Sequence, residues 1–159
     1  MIPATPNNPT PGEAFMDTPI VNGTAYPYLV VEPKAYRFRI LSAADDRFFN
    51  LQWYVADETG NLNNGFPTEV RMVPAPDGRE GGIPDPATAG PSWIQIGTEG
   101  GFLPKPVVVP NQPVTWNRDP TTFNFGNVED HSLLLGTAER ADVIVDFTRY
   151  AGKTLILYN

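Results

Sequence analysis

The chain contains no cysteine and a single histidine, His131. With no thiol there is no disulfide, no thiolate metal centre and no cysteine nucleophile. One imidazole cannot furnish a type 1 copper site, which takes two histidines and a cysteine thiolate. Nor can it furnish a trinuclear site, which takes histidine pairs from several strands. His131 therefore reads as a partly exposed or hydrogen-bonded side chain. No nucleophile-elbow motif is present, so nucleophile–histidine–acid catalysis has no constellation behind it. No apolar run approaches the ~20 residues of a membrane-spanning helix. The start, Met1-Ile2-Pro3-Ala4-Thr5-Pro6, lacks the basic region and apolar stretch of a signal peptide. Basic residues are few and scattered, 11 Lys and Arg against 18 Asp and Glu for a net charge of −7. Phosphate binding needs clustered Lys and Arg, so neither nucleic acid nor an anionic membrane surface is expected as a partner.

What is present suits one domain. A chain of 159 residues, 41% hydrophobic, buries roughly 70% of its unfolded surface and can fold without a staple. The 18 prolines and 14 glycines suit many short strands joined by turns. Residues 1–17 read as a proline-rich linker or edge segment and 18–159 as a single domain. Within the domain, 57–91 changes character. Asn64-Gly65, Asp77-Gly78 and Gly81-Gly82 alternate there with prolines, which marks an excursion between strands with no core pattern of its own.

Elsewhere period-two alternation dominates and no window sustains an apolar 3.6-residue period, so the fold class is an all-β sandwich. Asn22-Gly23 predicts a tight turn, followed by a short strand over 27–31. Tyr36, Phe38 and Ile40 alternate with Arg37, Arg39 and Leu41. Phe49, Leu51, Trp53 and Val55 alternate with Asn50, Gln52 and Tyr54. Strands are also expected at 68–73, 93–96, 106–109, 114–116, 133–135, 141–147 and 154–158, with one helical turn at Thr148-Arg149-Tyr150. The expected core comprises Phe38, Ile40, Leu51, Trp53, Ile94, Ile96, Val143, Val145 and Phe147. Trp93 then falls on the opposite face and points toward a partner. Truncating Val145 or Ile40 to alanine is expected to cost about 2–4 kcal/mol.

Few residues suggest chemistry. Glu129-Asp130-His131 and Asp45-Asp46 are carboxylate-rich but lack the ligand count and glycine spacing of a calcium loop, so they read as solvated turns. Glu99-Gly100-Gly101 resembles a ligand cradle, yet glycines there are explained by positive φ and close chain approach. Glu139, Arg140 and Asp142 suggest an ion-pair network or an ordinary strand-edge salt bridge. Asn22-Gly23-Thr24 matches a glycosylation acceptor but reads as a hairpin turn. No catalytic, cofactor-binding or metal-ligating residue is assigned. A second reading, a stand-alone module binding carbohydrate or protein, requires two or more of Trp93, Trp116, Phe102 and Phe123 to form one exposed platform.

Several runs share an order and spacing with a known family. They are Val21-Asn22-Gly23 with Pro27-Tyr28-Leu29, Val31-Glu32-Pro33, Tyr36-Arg37-Phe38-Arg39-Ile40-Leu41, and Ile96-Gly97-Thr98-Glu99-Gly100-Gly101. The last and longest is Gly136-Thr137-Ala138-Glu139-Arg140-Ala141-Asp142-Val143-Ile144-Val145-Asp146-Phe147. Together they resemble the second, middle cupredoxin domain of bacterial multicopper oxidases of the laccase, bilirubin oxidase and phenoxazinone synthase kind. The resemblance spans about 17–159. Ser42 departs from it, standing where asparagine is common, and the excursion at 57–91 is longer than in compact laccases. The resemblance implies a cupredoxin-like Greek-key β-sandwich that holds no copper itself. It also implies flanking cupredoxin domains that do hold copper, in an extracellular or periplasmic parent oxidase. Isolated, such a domain is expected to expose apolar patches and to form a homodimer or an extensive crystal contact through one of them, with the proline-rich start, Trp93 and the Leu103-Pro104 turn contributing.

Overall fold

In the computed structural model, residues 18–159 are described, so the linker expected at 1–17 lies outside the described residues. Residues 18–30 belong to one compact unit and Val31–Asn159 form another. The first holds a two-stranded ribbon, β1 (Ile20–Val21) and β2 (Thr24–Ala25), paired antiparallel. Asn22 and Gly23 form its turn, both at positive φ, as a two-residue hairpin requires. The strand expected over 27–31 does not form. Among the described residues nothing pairs with it, and an extended segment without a ladder partner has no reason to become a strand.

The second unit is all-β, with no α-helix among the described residues. Its four-stranded sheet runs in the order β10 (Gly101–Val109), β9 (Trp93–Thr98), β12 (Arg140–Asp146), β3 (Ala35–Leu41). Its three-stranded sheet runs β11 (Leu133–Leu135), β4 (Phe49–Val55), β13 (Leu155–Tyr158). All pairings are antiparallel, and the chain passes between the sheets from β3 to β4, β10 to β11, β11 to β12 and β12 to β13. This is a cupredoxin-like β-sandwich. A 3-10 turn follows β12 at Thr148–Tyr150, where a helical turn was expected.

Seven buried residues fill the sandwich: Trp93, Leu133, Leu135, Ala141, Val143, Val145 and Phe147. Phe38, Ile40, Leu51 and Trp53 are half-buried and pack against them. Rings link the two sheets. Trp53 lies 5.3 Å from Trp93 and meets Phe147 edge-on at 5.6 Å, and Phe147 meets Phe38 edge-on at 6.3 Å.

Two expectations about faces are overturned. Trp93 does not point outward: it is 0% exposed, its Nε1 donates to the Leu51 carbonyl at 2.8 Å, and Ile94 and Ile96 lie outside the core cluster. The cause is a bulge. Asp142 pairs with Gly97 but Val143 pairs with Gln95, so Ile96 is an extra residue that reverses the alternation along β9. The second concerns β4, where Asn50, Gln52 and Tyr54 are more buried than Leu51 and Trp53. β4 is the central strand and is covered on both faces. Its polar side chains close a network. The Ser132 N–H donates to Asn50 Oδ1 at 2.7 Å and Asn50 Nδ2 to the Gln112 carbonyl at 3.0 Å. The Tyr54 hydroxyl donates to Gln52 Oε1 at 2.8 Å.

The excursion at 57–91 is more ordered than its composition suggests. It carries two short ribbons, β5 (Leu62–Asn63) with β6 (Phe66–Pro67) and β7 (Met72–Val73) with β8 (Ile83–Pro84), so the strand expected at 68–73 shrinks to its last two residues. Ile83 and Pro84 are buried, and the return of the chain lies against β4, with the Gly90 N–H donating to the Trp53 carbonyl at 2.7 Å. A Cβ at Gly90 would come within 2.9 Å of Trp53 Cβ, so only glycine permits this approach.

The tip of the excursion is held by Arg79. Its guanidinium grips Asp77 at 2.7 and 3.0 Å, donates to the Val114 carbonyl at 2.7 Å and lies 5.1 Å from the centre of the Trp116 ring. Arg118 reaches the same carboxylate at 2.9 Å. The hydrogen bonds from Arg79 hold the Asp77 carboxyl at about 2. A folded-state value below the unfolded one stabilises the fold above the unfolded value, and that stabilisation is lost as pH falls through about 2. Asp77→Asn is therefore expected to lower the urea midpoint at pH 6. The gap to the parent chain should close as pH falls from about 4 toward about 2. An equal gap at every pH would show that the ion pair is not its origin.

Candidate functional site

The outward face of the four-stranded sheet gathers most of the chemistry in the second unit. Antiparallel partners share a face, so the register defines two rows across all four strands. One row is Val108, Ile94, Ile144 and Arg37, and the next is Phe102, Gly97, Asp142 and Arg39. Between the rows the register of β10 breaks over Leu103 to Pro106, which lets two prolines lie in a strand where they have no N–H to pair. A Cβ at Gly97 would meet Asp142 Cβ at 3.2 Å and the Gly101 carbonyl at 2.9 Å, so the absent side chain makes room for the hairpin.

Charge is organised around Asp142. Arg37 grips it with two hydrogen bonds, Nε at 2.8 Å and Nη2 at 2.5 Å, and the Arg37 guanidinium also lies 5.7 Å from the centre of the Phe102 ring. The Arg37 hydrogen bonds lower the Asp142 carboxyl below the usual range, and Arg39 adds to the effect. Glu99 in the β9–β10 turn accepts from the Arg140 N–H, and this bond lowers its carboxyl in turn. Glu139 caps the turn into β12, accepting from the Gly136 N–H at 2.5 Å. Ser42 closes the turn from the other side, donating its N–H to the Glu139 carbonyl at 3.0 Å and accepting from the Ala138 N–H at 2.9 Å. The Ser42 hydroxyl is buried with no partner among the described residues.

Of the three residues expected to form an ion-pair network, Asp142 pairs with Arg37, while Glu139 and Arg140 bond mainly to backbone. Arg37 was not foreseen as the partner, because it lies 105 residues away in sequence. The Glu99-Gly100-Gly101 turn brings its carboxylate to the chain itself. The acidic turns are not brought together. Asp130 bonds to Thr115, exposed His131 holds its Nδ1 2.6 Å from the Ser132 carbonyl oxygen, and Asp45-Asp46 lies in an exposed turn. Among the described residues, no three His, Cys, Asp or Glu side chains are grouped to hold a metal ion. One imidazole and no thiolate do not fit a copper centre. The aromatic platform is not assembled either. Trp93 is buried against Trp53, Phe102 lies by Arg37, and Trp116 lies by Arg79.

The chain as a whole is similar to segments of known proteins. A laccase of Bacillus subtilis is 32% identical over 165 residues, spanning 99% of this chain and 21% of the relative. A multicopper oxidase of Arabidopsis thaliana is 30% identical over 161 residues, spanning 98% of this chain and 18% of the relative. The chain is similar to a segment of multicopper oxidases. A bilirubin oxidase of Albifimbria verrucaria, 31% identical over 140 residues, spans 87% of this chain and 16% of its own length. The chain thus spans about a fifth of the length of the relatives it matches. No family model matches the chain. Among the described residues no helix is long and apolar enough to cross a membrane.

Proposed function

We propose that this chain is the noncatalytic middle domain of a multicopper oxidase and bridges two neighbouring cupredoxin domains. One observation carries the reading: similarity to a laccase runs over 99% of a chain that has one histidine and no cysteine. A segment so related, yet without the ligands for copper, serves the enzyme by holding other parts in place. The copper belongs to the flanking domains. There the parent oxidises phenolic, aromatic or low-valent metal-ion reductants and reduces dioxygen to water, in an extracellular or periplasmic setting. What this chain's own residues supply is stiffness. The ring-packed core fixes the sheets, and the bonds from Ser42, Glu99 and Glu139 fix the crossings at the end of the four-stranded sheet.

Dioxygen uptake tests the reading. The purified chain, supplied with copper and a phenolic reductant, is expected to consume dioxygen no faster than free copper does. Turnover above that background, retained after gel filtration, would overturn it.

A further inference from the structure

The geometry points to a docking surface on the outward face of the four-stranded sheet. We propose that a neighbouring domain of the same polypeptide sits on the Val108–Ile94–Ile144 row and presents a carboxylate to Arg39 and Arg140. The inference rests on the reading of the chain as a middle domain.

Three observations carry it. First, a sheet face turned to water ordinarily shows polar residues, and this one shows an unbroken apolar row across three strands, with Val108 66% exposed, Ile94 and Ile144 half-buried, and Phe102 in the next row 75% exposed. Second, the charge on the face is of the wrong sign for the chain. Net charge is −7, yet the three nearby carboxylates are already engaged, Asp142 with Arg37, Glu99 with the Arg140 N–H and Asp146 with the Thr148 N–H. The Arg39 side chain makes no hydrogen bond among the described residues, and it lines a shallow groove with Leu41, Thr98 and Arg140. An arginine beside exposed leucine fits a partner that brings an acidic group on an apolar surface. Third, the relatives carry this segment inside polypeptides about five times its length, so a neighbour in the same chain is at hand.

The chemistry also narrows how the neighbour docks. Pro104 and Pro106 interrupt the free edge of β10, so an added strand would find no continuous ladder there. Contact is face-on. A second copy of this chain fits less well, since a two-fold interface sets one patch against itself and would bring the arginine grooves of both copies together.

The test places Val108→Asp and, separately, Arg39→Glu in the full polypeptide that carries this segment and in the 159-residue chain. Phe123→Asp, on a fully exposed residue away from this face, serves as control. In the 159-residue chain Val108→Asp should leave the unfolding midpoint unchanged, because its side chain points outward, and Arg39→Glu should lower it only slightly, through Asp142 opposite it. In the full polypeptide each should raise the rate of proteolysis between domains by about tenfold or more, while the control leaves it unchanged. Two results would overturn the proposal: face variants that behave like Phe123→Asp in the full polypeptide, or a homodimer of the 159-residue chain that Val108→Asp dissociates. Copper content of the full polypeptide is read in parallel. Its absence would remove the oxidase reading, whereas the proteolysis result reports on the face alone.

Discussion

Trp93→Ala is expected to cost about 3–5 kcal/mol of stability, the largest loss from any single truncation in the sandwich. The side chain is fully buried, touches Trp53 at the centre of the core and donates its indole N–H to the Leu51 carbonyl. Removing it leaves a cavity between the sheets and takes away one hydrogen bond to the Leu51 carbonyl. Domains of this size are stable by only about 5–15 kcal/mol, so a third or more of the total is at stake. Ile94→Ala, one residue along, should cost well under half as much, because Ile94 faces outward. Urea titration followed by circular dichroism checks both variants. If Ile94→Ala proved the costlier, the bulge at Ile96 would be wrong and the simple alternation along β9 right.

The second large effect is expected at Asn50. Asn50→Leu keeps the volume but removes the acceptor for the Ser132 N–H and the donor for the Gln112 carbonyl. Each buried polar group left unpaired costs about 1–3 kcal/mol, so a loss of about 2–5 kcal/mol follows. Hydrogen exchange adds a local readout. The Ser132 amide should be protected in the native chain and should exchange much faster in the variant. Equal protection in both would mean that Asn50 is not its partner.

These two sites also show where the sequence was legible. Along β3 and β12 simple alternation identified the faces, because the two strands pair in unbroken register from Ala35 to Leu41. Along β9 the same rule failed, since one extra residue inverts every side chain beyond it. Gly97 inside the strand was the available signal, because glycine there commonly marks a bulge. In β4 the rule treated Asn50, Gln52 and Tyr54 as solvent-facing, when loops from distant parts of the chain cover them and satisfy their hydrogen bonds. Val145 meets the burial expected of it, whereas Ile40 sits half-buried on edge strand β3, so its truncation falls at the low end of the range. Asp142 was legible as a charged residue of interest. Its partner was not, since only the fold sets Arg37 beside it.

The central claim, that this is the copper-free domain of a copper oxidase, is tested most directly by metal content. The 159-residue chain is incubated with Cu(I) and with Cu(II), passed through gel filtration and analysed for copper beside the full polypeptide that carries it. Copper is expected in stoichiometric amount in the full polypeptide and not in the isolated chain. One tightly held copper per isolated chain would contradict it.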